Sequence, residues 1–345
     1  MLIKEYFSNI SKNYLNHSFS GISFKSNEIK KGFIFFAIKG NKTDGKKFIN
    51  EAIKKGAKTI ISDLKYQGHK KDVLFLNSKN PRKLLSETAS RFYNKRPKNL
   101  IAVTGTNGKS SVANFFFQIL NLNKKKVASI GTLGVNSNKL NLNTHNTTLD
   151  PISLNKILEE QKKSKINNII LEASSHGLKQ YRLHGLKFNI GIFTNLSRDH
   201  LDYHKSFEDY LKSKMILFNK LLNKNSKIIY DTEISQSKIL KSISIKKKLN
   251  SITIGKKNSD LKIINHKFIG SKQEITFIFK NHTYSFKTDL IGKIQIKNLI
   301  MAIIAAKNSN LPMKKIIKSI NKIKPVKGRL EKVGNIKNNS KVILD

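Results

Sequence analysis

Gly105, Thr106, Asn107, Gly108, Lys109, Ser110 and Ser111 stand together in the stretch VTGTNGKSS (103–111). These residue types at this spacing can bind phosphate. Backbone N–H groups bared by the two glycines, with a helix N-terminus behind them, form a cradle for anions. The Lys109 ammonium would offset β/γ-phosphate charge, and the Ser110 hydroxyl would ligate Mg²⁺. The full phosphate-loop pattern has glycine where Val103 stands, so only the Gly-x-x-Gly-Lys-Ser core is present. The alternative is an ordinary strand–turn–helix in which Gly-Lys-Ser falls by chance.

Two further clusters follow apolar runs. In LEASSH (171–176), Glu172 ends a run that reads as a buried strand. Parallel sheets place ligand-binding groups at such strand ends, and a carboxylate there can hold Mg²⁺ opposite a phosphate loop. A surface Glu at a strand end is the competing reading. In TNLSRDHLDYH (194–204), Asp199, His200, Asp202 and His204 could supply zinc ligands, although their spacing matches no zinc signature. Clustered His and Asp on an exposed loop is the alternative there.

The elements around these residues read as α/β. Residues 32–38, 59–62 and 73–76 are short apolar strands, and 47–56 is a helix with Phe48, Ala52 and Ile53 on one face. Asn80-Pro81 caps and opens another helix. A polar, Pro-containing linker is expected at 95–98. Beyond it, strand 100–104, helix 110–122, strand 126–132, a helix from Asp150-Pro151 to about Lys163, and strands 168–173 and 190–195 alternate. Such alternation argues for a mainly parallel sheet. Ser206 and Asp209 resemble a capping box before a helix ending near Leu222. Shorter strands follow, with a hairpin turn at Gly270-Ser271, then helices 295–307 and 312–320. Residues 341–345 read as the first strand of a further unit with no partner. The expected domains are 1–97, 98–325 and the beginning of a third at 326–345.

Composition narrows the function. The 345 residues carry 66 Lys+Arg against 22 Asp+Glu, a net charge of +44. Such an excess points first to nucleic acid, an anionic membrane or a polyanionic substrate. Six of the 66 basic residues are Arg and the rest are Lys, scattered along the chain without a nucleic-acid-binding signature. A solvated lysine-rich surface is the expectation, with no nucleic-acid and no membrane partner. Zero Cys excludes a disulfide scaffold, a thiolate metal site and a Cys nucleophile. No apolar run is long enough to span a bilayer and no signal peptide is indicated, so a cytoplasmic protein is expected.

The motifs TGTNGKSS, LEASSHGLKQYRL and TNLSRDHLDYH, in this order and spacing, resemble the Mur ligase family of ATP-dependent amide-bond ligases in peptidoglycan synthesis. The resemblance runs from about Phe24 to Asp345. It is strongest to the branch that adds a third amino acid, meso-diaminopimelate or L-lysine, to UDP-N-acetylmuramoyl-L-alanyl-D-glutamate. It implies a small N-terminal α/β UDP-binding domain, a central P-loop ATPase domain and an essentially absent C-terminal Rossmann-like domain. It also implies ATP and Mg²⁺ as cofactors, the UDP-muramoyl dipeptide and an amino acid as partners, and a monomer. Catalysis would rest on Lys109, Glu172, His200 and Lys214. Gly105 to Ser111, Asn298 and Arg329 would contact ATP. Ser110, Glu172, His200 and Lys214, the last if carbamylated, would surround magnesium. Phe24, Ser26, Asn41, Lys42, Thr43, Asn146, Thr147, Thr148, Ser174, Gln180 and Arg182 match substrate-binding positions.

Some positions depart from the family pattern. Lys25-Ser26-Asn27 stands where the family usually carries Asp-Ser-Arg, NTTLD where it carries NTTPD, and the Asp-Asn-Pro-Arg motif that selects the amino acid is absent. The chain is therefore expected to be truncated, with ligase activity impaired. Three other readings are a folylpolyglutamate synthase or another Mur ligase, a basic nucleic-acid-binding P-loop ATPase, and a silent scaffold.

Overall fold

The structure, a computed structural model, describes residues 1–7, 11–40, 43–144, 146–270, 272–336 and 340–344, with side chains as far as residue 330. The chain divides into two compact units. One takes Met1–Lys95, Asp150–Glu159 and Gln180–Leu186, the other Arg96–Leu149, Glu160–Lys179 and Lys187–Asp345.

The first unit contains β1 (Gly21–Ser23), β2 (Phe33–Phe36), α1 (Ile49–Lys54), β3 (Thr59–Ser62), β4 (Gly68–Lys70), β5 (Val73–Asn77) and α2 (Pro81–Phe92). Its strands lie in the order β1-β2-β3-β5-β4, parallel except for β4. Strand β2 (FIFF) is apolar throughout, and β3 (TIIS) is buried throughout, its two isoleucines lying between the buried Thr59 and Ser62. The expected N-cap is made: Asn80 Oδ1 accepts from the Lys83 N–H at 3.0 Å, with Pro81 in the first turn. The two strands that the sequence pattern missed, β1 and β4, are three residues each, too short to show alternation.

The second unit opens with β6 (Asn99–Thr104), α3 (Lys109–Leu122), β7 (Val127–Gly131), β8 (Gly134–Ser137) and β9 (Asn141–Leu142). Helix α4 (Pro151–Lys163) contributes residues to both units. Then come β10 (Asn168–Glu172), α5 (Ser175–Lys179), β11 (Phe188–Phe193), α6 (Phe207–Ile216), β12 (Leu222–Asp231), α7 (Ser237–Lys247) and β13 (Asn250–Gly255). The antiparallel strands β14 (Leu261–Ile269), β15 (Lys272–Phe279) and β16 (His282–Thr288) precede α8 (Lys293–Lys307) and α9 (Met313–Ser319). One sheet runs β16-β15-β14-β13-β12-β11-β6-β10-β7-β8-β9, parallel from β14 to β7. Strand β6 lies between β10 and β11, and Leu100, Ile101, Ala102 and Val103 are all buried. From Leu299 to Ala306 helix α8 is wholly apolar and buried, and it packs with α3 in the core. Each of its fully buried isoleucines contributes roughly 1.5–3 kcal/mol.

The helix after Ser206 runs as α-helix to Ile216 and continues as a π-helix over Leu217–Leu221, ending where expected near Leu222. Two other expectations need correction. Ser206 Oγ accepts from the Asp209 N–H at 3.1 Å, but the Asp209 carboxylate does not return to the cap; it takes Lys179 and His204 instead. The terminal strand has a partner. Strand β17 (Glu331–Ile336) pairs antiparallel with β18 (Ser340–Leu344). Gly270 turns between β14 and β15 at φ 59°, while Ser271 lies outside the described residues, as does Asp345.

Candidate functional site

The phosphate-loop stretch leaves the C-terminal end of β6 and enters α3. Because β10 and β11 flank β6, the residues after those two strands fall beside it. Asn195 closes one side: its Oδ1 accepts from the Asn107 N–H at 3.0 Å, its Nδ2 donates to the Asn107 carbonyl at 3.2 Å, and its own carbonyl accepts from the Thr106 N–H at 2.9 Å. Thr194 Oγ1 donates to the Asn107 carbonyl at 2.6 Å. On the other side, Asn298 of α8, 4% exposed, abuts Gly108. Gly108 sits at φ 86°, and a Cβ there would lie 2.5 Å from Asn298 Oδ1. Glycine is required by both the conformation and the space.

Lys109 Nζ donates to the carbonyls of Gly105 at 3.0 Å and Thr106 at 2.7 Å. Burial pulls its pKa below the usual lysine value; Glu172 and Asp199 oppose the shift and Arg329 adds to it. Glu172, 2% exposed, accepts from the Thr132 N–H on Oε1 at 2.8 Å. Its Oε2 accepts from the Ser110 hydroxyl at 2.9 Å and the Thr132 hydroxyl at 3.3 Å. Burial pushes the Glu172 carboxyl up, against the Thr132 N–H, Lys109 and Ser110, which hold it down. A Cβ on Gly131 would lie 2.1 Å from Glu172 Oε1, so that glycine leaves room for the carboxylate. Paired hydroxyl and carboxylate oxygens beside an anion cradle are the donor set a Mg²⁺–phosphate group takes. The residues fit that group.

Lys214 reaches the same loop from α6. It is 1% exposed, its Nζ donates to the Gly105 carbonyl at 2.6 Å, and it lies 4.3 Å from the Tyr210 ring centroid. Burial, with the Lys109 charge adding and Asp199 opposing, lowers its pKa to about 6. A lysine so placed is a neutral, nucleophilic amine at pH 7. His200 adopts φ 53° and is exposed; its Nε2 lies 3.6 Å from Asp199 Oδ2, and its ring stands edge-on to His176 at 5.1 Å. Among the described residues, no three His, Asp or Glu side chains are grouped to hold a metal. The zinc set of Asp199, His200, Asp202 and His204 is therefore not assembled: both ring nitrogens of His204 are occupied by Ser175 and Asp209.

The remaining positions separate by unit. In the second, Thr148 Oγ1 donates to the Glu172 carbonyl at 2.9 Å and lies 3.0 Å from Ser174 Oγ. Thr147 Oγ1 lies 3.1 Å from Thr132 Oγ1, and the Asn146 carbonyl accepts from Thr144 at 3.4 Å. These residues adjoin the Glu172 site. Arg329 is exposed and turns back on Val326 through its N–H at 3.0 Å. In the first unit, Arg182 donates from Nε and Nη2 to Gln180 Oε1 at 3.1 and 2.8 Å. Ser26 Oγ donates to Glu51 at 2.9 Å, Phe24 packs against the core, and the Thr43 carbonyl accepts from Gly40 at 2.7 Å. Asn41 and Lys42 lie outside the described residues.

The motifs did not single out Thr132, Gly131 or Tyr210. The available signal for the first two was a glycine and a hydroxyl residue closing a strand that neighbours the Glu172 strand. Tyr210 Oη lies 3.2 Å from Thr106 Oγ1.

The Mur ligase middle domain matches residues 103–306, and the Mur ligase family catalytic domain matches 18–93. The chain is similar to the UDP-N-acetylmuramoyl-L-alanyl-D-glutamate–2,6-diaminopimelate ligase of Rickettsia montanensis, 40% identical over 331 residues, covering 95% of this chain and 68% of that protein. The enzyme of the same name from Zymomonas mobilis is 35% identical over 328 residues, covering 94% and 66%. A solved structure of a diaminopimelate ligase of this name superposes with a TM-score of 0.86 at 25% identity, covering 97% of this chain and 69% of that one. The fold also matches MurF of Thermotoga maritima in complex with ADP, with a TM-score of 0.64 at 18% identity, covering 92% and 69%.

Proposed function

Because the chain belongs to the Mur ligase family, we propose that it is an ATP-dependent ligase that joins meso-diaminopimelate to UDP-N-acetylmuramoyl-L-alanyl-D-glutamate. The chain spans about two thirds of the length of the relatives it matches. Their names favour diaminopimelate over L-lysine as the added residue. It would act in the cytoplasm as a monomer, without nucleic acid; no described helix is long and apolar enough to cross a membrane.

The observation that carries the reading is the meeting of three chemistries at one end of β6. These are the phosphate cradle of Gly105–Ser111, the Ser110–Glu172 oxygen pair and the desolvated amine of Lys214. ATP would supply the phosphoryl group that activates the substrate carboxylate, and Mg²⁺ would offset phosphate charge. Lys109 is placed to swing from two backbone carbonyls onto phosphate oxygens. Ser110 and Glu172 would hold the metal, with His200 beside them. Lys214, as a neutral amine, can add CO₂ with release of a proton to give a carbamate, an anionic oxygen group that could hold a second Mg²⁺. Asn298 and Arg329 would lie along the nucleotide. Thr147, Thr148 and Ser174 would face the peptide of the substrate, and Arg182, with its planar fork, suits a carboxylate or phosphate. Work of this kind is mainly positional and electrostatic.

The test is ADP release by the purified chain with UDP-muramoyl dipeptide and either diaminopimelate or L-lysine, with folate plus glutamate as a control pair. Diaminopimelate-dependent release supports the reading. Release with folate and glutamate alone, or failure to bind ATP, overturns it.

A further inference from the structure

His204 joins the segments that carry the proposed machinery. Its side chain is 0% exposed. Nε2 lies 3.0 Å from Ser175 Oγ at the start of α5, and Nδ1 lies 3.3 Å from Asp209 Oδ2 in α6. An ionised carboxylate only accepts, so Nδ1 carries the proton and Nε2 accepts from the Ser175 hydroxyl. Asp209 also takes Lys179 Nζ at 2.5 Å and the Lys205 N–H at 3.3 Å. The His204 N–H donates to the His200 carbonyl at 3.0 Å and closes the turn in which His200 adopts φ 53°. The imidazole rests 5.0 Å from the Tyr210 ring, whose hydroxyl reaches Thr106 in the phosphate loop. Lys214 lies one turn further along the same helix.

Ser175, His204 and Asp209 share the connectivity of an acyl-transfer triad. Burial decides against that role: Ser175 is 2% exposed, and neither it nor the imidazole presents a face to substrate. The chain of bonds is a strut.

We propose that His204 is a positioning residue that holds the His200 turn and α6 against α5 and the phosphate loop, and so sets the Mg²⁺ concentration at which nucleotide binds. The inference rests on the magnesium–ATP reading of the site. Partners that orient metal-binding groups change metal affinity about 10- to 100-fold when removed.

The test is ATP binding to the whole chain by equilibrium dialysis across a Mg²⁺ titration, with thermal unfolding in parallel. His204→Phe keeps the ring packing against Tyr210 and loses both polar contacts. It should raise the Mg²⁺ midpoint at least tenfold at temperatures where the variant is fully folded. His204→Asn, which keeps a donor toward Asp209, should recover most of the loss. Should His204→Phe fail to fold, Ser175→Ala cuts the other end of the strut by one atom and should move the midpoint in the same direction. An unchanged midpoint in the folded variant, or in Ser175→Ala where His204→Phe does not fold, overturns the proposal. So does a change that tracks thermal stability alone. A wild-type chain that binds no ATP at any Mg²⁺ concentration overturns the functional reading and this inference with it.

Discussion

Lys214 Nζ lies 2.6 Å from the carbonyl oxygen of Gly105, from which 109 positions of sequence separate it. Among the described residues, no carboxylate is bonded to the amine. A backbone carbonyl is poor compensation for a buried ammonium, and its pKa falls to about 6. Unfolded, the group titrates near 10.5. Between those values the folded chain holds fewer protons than the unfolded one, so stability rises with pH through that window. Lys214→Met removes the penalty. It should raise the melting temperature at pH 7 and flatten the rise between pH 7 and 9, as thermal unfolding would record. A lower melting temperature at pH 7 would show that the amine is not penalised by burial. ¹³C-bicarbonate should give a carbamate signal in the wild-type chain and none in this variant.

Glu172 has the opposite sign. Its carboxyl is raised by burial above the usual 4.5, so stability contributed by the protonated form is lost as pH climbs through the folded value. Glu172→Gln preserves shape and a carbonyl oxygen for the Thr132 N–H. At pH 8 and without metal it should melt at or above the wild-type temperature, with the advantage fading as pH falls through the raised carboxyl value toward 4.5. Magnesium should no longer sharpen nucleotide binding, measured by titration calorimetry.

Gly131→Ala tests how tightly the carboxylate is held. The new methyl would lie 2.1 Å from Glu172 Oε1, an overpacking that costs about 1–3 kcal/mol. Denaturant unfolding should report that loss, and Mg²⁺-dependent ATP binding should weaken more than ATP binding without metal. Equal weakening of both would mean that the carboxylate does not face the metal.

Asn195→Ala removes the side-chain bonds to both polar backbone groups of Asn107. Thr194 Oγ1 still serves the carbonyl, so the N–H alone loses its protein partner, and one such bond is worth about 0.5–1.5 kcal/mol. Nucleotide affinity should fall about tenfold, the ratio that 1.4 kcal/mol sets, although Asn195 is assigned no contact with the nucleotide. Unchanged affinity would show that the loop keeps its shape without this brace.

Much of this site was legible because its chemistry is local. Gly105, Gly108, Lys109 and Ser110 are adjacent in sequence, and the backbone that bares their N–H groups dictates their types. Glu172 was legible from its place at the end of an apolar run. Asn298 was not legible from pattern, since one Asn at the head of a buried apolar run leaves no periodic mark; the family resemblance named it, and the space above Gly108 accounts for its place. Thr132 belongs to no motif, because its part is to present one N–H and one hydroxyl to a carboxylate supplied by the neighbouring strand. In the fold, the strand 331–336 escaped notice because Gly334 and Asn335 depress β propensity, which left 340–344 without its partner. The strands that the pattern did locate, such as 33–36, are continuous, largely buried apolar runs with clear punctuation.

The place of β6 between β10 and β11 also bears on the order in which the molecule is made. The loop itself is complete once residue 111 has been synthesised, yet its supports arrive 62 positions after Ser110 and 87 after Asn107. Closing such separations slows folding, because chain entropy is lost before the contacts form. A nascent chain ending in α4 would carry every glycine of the cradle and neither Glu172 nor Asn195 to hold it. Competence for nucleotide should therefore emerge late and abruptly, once β11 and the later α6 and α8 have docked, and not with the synthesis of the loop.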